Sequence, residues 1–235
     1  MLTENKFSKY LIYAIGEIVL VVIGILMALA INEWKNEQRI DSEEKATLYK
    51  LIKDLESDNE RYLSNVKFYT KLDSFLQKTK DIIYKKSLSD EEIKEVMYFP
   101  GAIHKDLNPR KTTYNEMLNS GRIYNLSNDV LVDKIIEYYQ FLDESTYESK
   151  EQRKEFRALF YGPDFTDFWF WKAEENPFPY AKVFFADNDS PAYRKLKQSA
   201  GWSLIINDNL LKNNNELIRM NDELTELINT DLENK

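Results

Sequence analysis

The chain has 235 residues, 43% of them hydrophobic and 31% charged, with a formal net charge of −8. That balance supplies a folded core but no clustered basic face, so nucleic acid is excluded as a partner and anionic lipid is disfavoured as a docking surface. With no cysteine and one histidine, His104, disulfides, thiolate sites, cysteine nucleophiles and a His-rich metal centre are all excluded; no metal or cofactor is implied.

The first element is decisive. Tyr10 to Ile31 reads YLIYAIGEIVLVVIGILMALAI, long enough to cross a hydrocarbon core that takes about 20 apolar residues of helix. Residues 1–9 are then a short cytoplasmic tail, 10–32 a transmembrane helix and 33–235 one helical domain. Met27-Ala28-Leu29-Ala30, with Lys6 and Lys9 upstream, also resembles the end of a cleaved secretory signal. The length of the apolar run, and its passage into Asn32-Glu33-Trp34-Lys35 without a helix breaker, favour a retained anchor. Basic residues on the two flanks nearly balance. Since long C-terminal domains are translocated largely regardless of charge, the expected placement is a single-pass protein of the bacterial inner membrane with its domain in the periplasm.

Within the span, Glu17 is the one carboxylate, and intramembrane carboxylates are costly enough to suggest function. Glu17, Val21, Gly24 and Ala28 follow i, i+4, i+7, i+11 and share one helix face. Gly24 and Ala28 are a small-xxx-small pair that permits close helix approach. The face suits packing in the bilayer against a membrane-protein partner or against a second copy. A snorkelling Glu17 close to the interface is the plainer alternative.

Tyr13-Ala14-Ile15-Gly16-Glu17-Ile18, Ile23-Gly24-Ile25 and Ala28-Leu29-Ala30-Ile31-Asn32-Glu33-Trp34 resemble the N-terminal signature of an uncharacterised bacterial family of single-pass membrane proteins, a domain of unknown function. Thr113-Tyr114-Asn115-Glu116-Met117-Leu118 with Ser120-Gly121, and then Tyr138-Tyr139, resemble a second patch of that family. The resemblance implies an architecture and no activity.

From about 41 to 86 the spacing of Leu48, Leu51, Ile52, Leu55, Tyr62, Val66, Tyr69, Leu76 and Ile83 predicts a stalk helix continuing the membrane span with little break. Ser89 can cap a short helix over about 90–97, with Glu91, Glu92 and Glu95 suited to its dipole. Pro100-Gly101 and Asn108-Pro109 bracket a loop holding His104, which reads as a solvated side chain more readily than as a base or a ligand beside Asp106. A helix over about 113–120 stops at Gly121 as C′ residue, with Thr112 or Thr113 as cap. Ser127 can cap a long helix over about 128–161, and Ser190-Pro191 opens another over about 191–230. Scarce Gly and Pro, six each, fit this all-α reading: a transmembrane helix followed by an antiparallel bundle of long helices with an aromatic-rich irregular loop.

That loop concentrates Phe168, Trp169, Trp171, Phe178 and Tyr180. It can cap the open end of the bundle, the favoured reading, or form a contact patch or ligand groove. On the last helix, Asn207, Asn214 and Asn221 fall seven apart, as do Leu210, Leu217 and Leu224. Asn at a seam position sets register at a cost in stability. Three in succession suggest a wet edge in preference to a homodimer seam.

No phosphate loop, nucleophile elbow or metal-spacing motif occurs. The expected role is therefore a non-catalytic membrane-anchored interaction or scaffold subunit. A small-molecule or peptide-sensing domain and a proton-coupled energising subunit using Glu17 are the alternatives.

Overall fold

A computed structural model describes residues 4–99, 105–160 and 174–234. Its elements are α1 (Glu4–Ile83), α2 (Asp90–Val96), α3 (Thr112–Asn119), a 3-10 turn (Arg122–Asn125), α4 (Asp129–Phe160), α5 (Phe178–Ala186) and α6 (Pro191–Glu233), with no strand among the described residues. The protein is all-α. It divides into two compact units, Met1–Lys50 and Leu51–Lys235, and the division falls inside α1.

In the first unit, every residue from Tyr10 to Glu43 is exposed. The apolar stretch is the one helix, among the described residues, that is long and apolar enough to cross a membrane. Arg39 holds the following turns through Glu43 at 2.7 Å and Asn36 at 3.0 Å, the i+4 and i−3 pairs that support a polar helix.

In the second unit, three long helices form the core. Asn221 of α6 bonds α1 at Leu55, Asn214 meets Asn65, and Asn207 meets Tyr69. Residue numbers rise on α1 as they fall on α6, so the two run antiparallel. The same holds for α4 and α6, where Asn128 bonds Asp231 and Asn213 bonds Glu148. It follows that α1 and α4 run parallel, which a simple up-down-up bundle would not produce.

The parallel pair requires a return path, and residues 105–111 supply it as an extended strap laid along α1. Tyr69 Oη accepts from Lys105 N–H (2.9 Å) and donates to Lys105 O (3.0 Å). Arg61 donates to Leu107 O (3.0 Å). Arg110 N–H donates to both oxygens of Asp58 (3.1 and 2.9 Å). Thr113 then bonds Asp54 through N–H and Oγ1, the latter at 2.6 Å. From Tyr69 back to Asp54 the helix covers ~22 Å at 1.5 Å per residue. Lys105 to Lys111 covers at most ~20 Å in extended form, and the first turn of α3 adds ~3 Å to Thr113. The lengths match, so the strap descends α1 nearly rung by rung.

Local chemistry explains the element ends. Ser89 caps α2 in a full capping box with Glu92. Ser190 Oγ accepts from Tyr193 N–H at 3.1 Å, with Pro191 in the first turn of α6. The cap of α4 is Asn128, whose Oδ1 accepts from Leu131 N–H at 3.2 Å, and not Ser127 as expected. Asn competes well at this position because its side chain leaves a second group free, here used to tie α4 to Asp231. Tyr193 Oη donates to Ile83 O at 2.9 Å, closing the end of α1 three residues before the expected residue 86. α6 continues past the expected residue 230 to Glu233.

Gly121 follows α3 at φ +72°, the left-handed C′ conformation. A Cβ placed there would meet nothing within 4 Å. Gly121→Ala should therefore cost only backbone strain, about 1 kcal/mol. A thermal melt followed by circular dichroism checks this, and a loss of several kcal/mol would show that the position is crowded.

The aromatic segment is not wholly irregular. From Phe178 it forms α5, which packs on α2. Lys182 pairs with Asp90 at 2.7 Å, and Lys94 Nζ lies 5.0 Å from the Phe178 ring centroid. Aromatics at 178, 180, 184 and 185 hid this helix, because their spacing resembles neither a strand nor a single buried stripe.

Candidate functional site

Glu17, Val21, Gly24 and Ala28 lie on one face of α1, and all four are exposed. Backbone approach at Gly24 is open, with nothing within 4 Å of a Cβ built there. A shallow depression beside Glu17 is lined by Ala14, Ile18, Val21 and Val22. A carboxyl group, a small step and a flat apolar border are thus presented together on a membrane-length helix.

The expected aromatic contact residues divide. Phe168, Trp169 and Trp171 lie outside the described residues, as does His104. Phe178 is half-buried against the core, and Tyr180, two positions on and nearly opposite around α5, is 44% exposed. Asp106 is held by Arg153 at 2.6 Å. Among the described residues, no three acidic or histidine side chains come together to hold a metal ion.

Asn207, Asn214 and Asn221 are 2%, 0% and 1% exposed. The expected wet edge is therefore corrected: they face α1 inside the chain. Asn221 Nδ2 donates to Leu55 O (3.0 Å) and Tyr138 Oη (3.2 Å). Asn214 Nδ2 donates to Leu210 O (2.7 Å), while its Oδ1 accepts from Asn65 (3.2 Å). Asn207 Nδ2 donates to Tyr69 O (3.1 Å). These bonds offset the desolvation that made burial look expensive.

The sequence reading missed the cluster beneath the strap. Asp58 is 1% exposed, and Asp54 lies one turn before it on the same face of α1. Tyr62 and Tyr138 hydroxyls meet at 3.3 Å. Tyr114 stacks on Tyr139 with centroids 3.9 Å apart and planes within 8°. Tyr139 Oη is buried and has no hydrogen-bond partner. Burial pushes the Tyr138 phenol up to about 12, and raises Tyr62 and Tyr139 as well, so all three are protonated at neutral pH. The same desolvation raises Asp58, against the Arg110 N–H and the Arg61 guanidinium, which lower it. Asp58, Tyr62, Tyr138 and Tyr139 are each enclosed to within 1% exposure, while Asp54 is half-buried at the edge of the cluster.

Thr113-Tyr114 and Tyr138-Tyr139, far apart in the chain, come together in this cluster. The signal for Asp58 lay in α1 itself. Leu51, Leu55, Tyr62, Tyr69 and Leu76 keep a 3–4 spacing, and Asp58 and Asn65 occupy its gaps.

No curated protein and no solved structure matches the chain. A family model described as a family of unknown function (DUF6090) matches residues 17–153. That range includes Glu17, the strap, and both halves of the tyrosine cluster, and it stops short of the Asn ladder. Covering more than half of the sequence, the match places this chain in the DUF6090 family of unknown function.

Proposed function

We propose that this protein is a non-catalytic subunit of a membrane complex, anchored once in the bacterial inner membrane with its helical bundle in the periplasm. The observation that carries the reading is the exposed face of Glu17, Val21, Gly24 and Ala28 on a helix of membrane length. In lipid, a carboxyl group gains by hydrogen bonding to a neighbouring helix, and the small residues let that helix approach. The bundle supports the reading from the other side. Its long helices are tied to one another by buried hydrogen bonds, such as Asn221 to Leu55 O and Asn65 to Asn214, as a scaffold requires.

The absence of native cysteine makes the test direct. Single cysteines at Val21 or Gly24, cross-linked in native membranes, should give a defined product, and one at Leu26 on the opposite face should not. Glu17→Leu should lower the yield about three- to thirtyfold, the range expected for losing an interhelical hydrogen bond of about 0.6–2 kcal/mol. Glu17→Gln should retain it. Equal products from both faces, or no effect of Glu17→Leu, would refute the proposal.

A further inference from the structure

Asp54 and Asp58 lie one turn apart on α1, both turned towards the strap. Asp54 accepts from Thr113, and Asp58 accepts the single Arg110 N–H with both oxygens. Two cations answer this pair of like charges, the Arg61 and Arg110 side chains, and burial outweighs both at Asp58. The Arg61 guanidinium lies 4.0 Å from Asp58 and is already spent on Leu107 O at 3.0 Å. Across from Asp58, the strap contributes Arg110, α3 contributes Thr113 and Tyr114, and α4 contributes Tyr138 and Tyr139. Tyr62 completes the α1 side. At this level α6 offers the uncharged Asn221, and Asp222 is turned to Asn59. All four tyrosines are neutral phenols at physiological pH.

Two states of the strap follow from its geometry. Docked, it covers Asp58 to 1% exposure. Lifted, it leaves Asp58 in water, where it titrates as an ordinary aspartate. A covered carboxylate beside a second one holds a proton more tightly than an open one. Protonation leaves one Asp58 oxygen free to accept from Arg110 N–H, so the main-chain anchor survives the loss of charge.

We propose that the Asp54–Asp58 pair is a proton-operated latch for the strap: uptake of one proton seats residues 105–111 on α1, and its release loosens them. This goes beyond the subunit role and does not depend on it. Under the docked strap Asp58 is 1% exposed, and that burial raises it against the Arg110 N–H and the two arginine charges, which lower it. At pH values above the raised docked value, both states are ionised and the full cost of the buried charge weakens docking. As the pH falls from there towards the ordinary carboxylate value of 3.8, the docked strap takes up its proton and tightens. Below that value both states are protonated and the effect is flat.

The test is hydrogen exchange at the Arg110 and Thr113 amides of the full chain in micelles, followed by NMR from pH 8 to 4.5 and corrected for intrinsic exchange. One proton permits at most a tenfold rise in protection per pH unit. A rise of threefold or more across the range is expected in the wild type, and a flat profile in Asp58→Asn. The side-chain carboxyl resonance of Asp58, read in the wild type, gives a second measure that needs no variant. It should titrate above the ordinary aspartate range. An Asp58 titrating at or below that range, a flat wild-type profile, or an equal rise in Asp58→Asn would each overturn the latch.

Discussion

Tyr139→Ala should destabilise the bundle by about 3–5 kcal/mol, while Tyr139→Phe should leave it unchanged or raise its stability by up to about 1 kcal/mol. The ring is fully enclosed, stacked on Tyr114 and edge-on to Tyr138 at 5.0 Å. Removing it empties a site between α1, α3 and α4 that such close helices cannot refill. The hydroxyl is a different matter. It is buried without a hydrogen-bond partner, so the folded state has given up its hydration and received nothing in return. Chemical denaturation of the full chain, read by circular dichroism, separates the two substitutions. A Phe variant less stable than wild type by more than 1 kcal/mol would mean that the hydroxyl has a partner in solution.

A second large effect is expected at the centre of the ladder. Asn65→Leu and Asn214→Leu should each cost about 1–3 kcal/mol, because either change strands the surviving amide in an enclosed seam. The double variant should cost less than the sum of the two. When both partners become apolar no group is left unpaired, and the coupling should reach at least 0.5 kcal/mol. Strict additivity would show that the two amides do not depend on each other. The double variant should also broaden the NMR lines of α6. Asn207, Asn214 and Asn221 each mark one turn-pair of the seam, and leucines at that spacing fit equally well one heptad out of place.

These two sites show where a sequence is readable and where it is not. Residues Leu51, Leu55, Tyr62 and Tyr69 announce a helical stripe by apolarity alone, and Ser89, Ser190 and Gly121 announce ends by chemistry that acts within four residues. Both kinds of signal are local. Asp58 is different. Its burial is decided by Arg110, which arrives from a segment without periodicity and forms no regular element. The strap has no signature beyond Asn108-Pro109, so the parallel run of α1 and α4 could not be read in advance. The Asn ladder was legible as a pattern, and its environment was misjudged. The acceptors that offset its burial, Leu55 O and Tyr69 O, belong to another helix whose distance no spacing rule supplies. Glu17 and its face were readable because the stretch around them is apolar throughout, so any polar group in it stands out.

The strap has one more consequence, for the order in which the molecule is made. Because residues 105–111 carry the chain back along α1, helices α1 and α4 can align once Phe160 has emerged from the ribosome. Their common partner, α6, does not end until Glu233. At bacterial and eukaryotic rates of ~5–20 residues per second, the intervening stretch takes roughly 4–15 s to appear. Until α6 docks, α1 and α4 leave between them a groove that is open along its length. A wholly apolar groove would invite aggregation with other unfinished chains. Asp58 and Asn65, set among the leucines and tyrosines, keep it wettable until the last helix arrives.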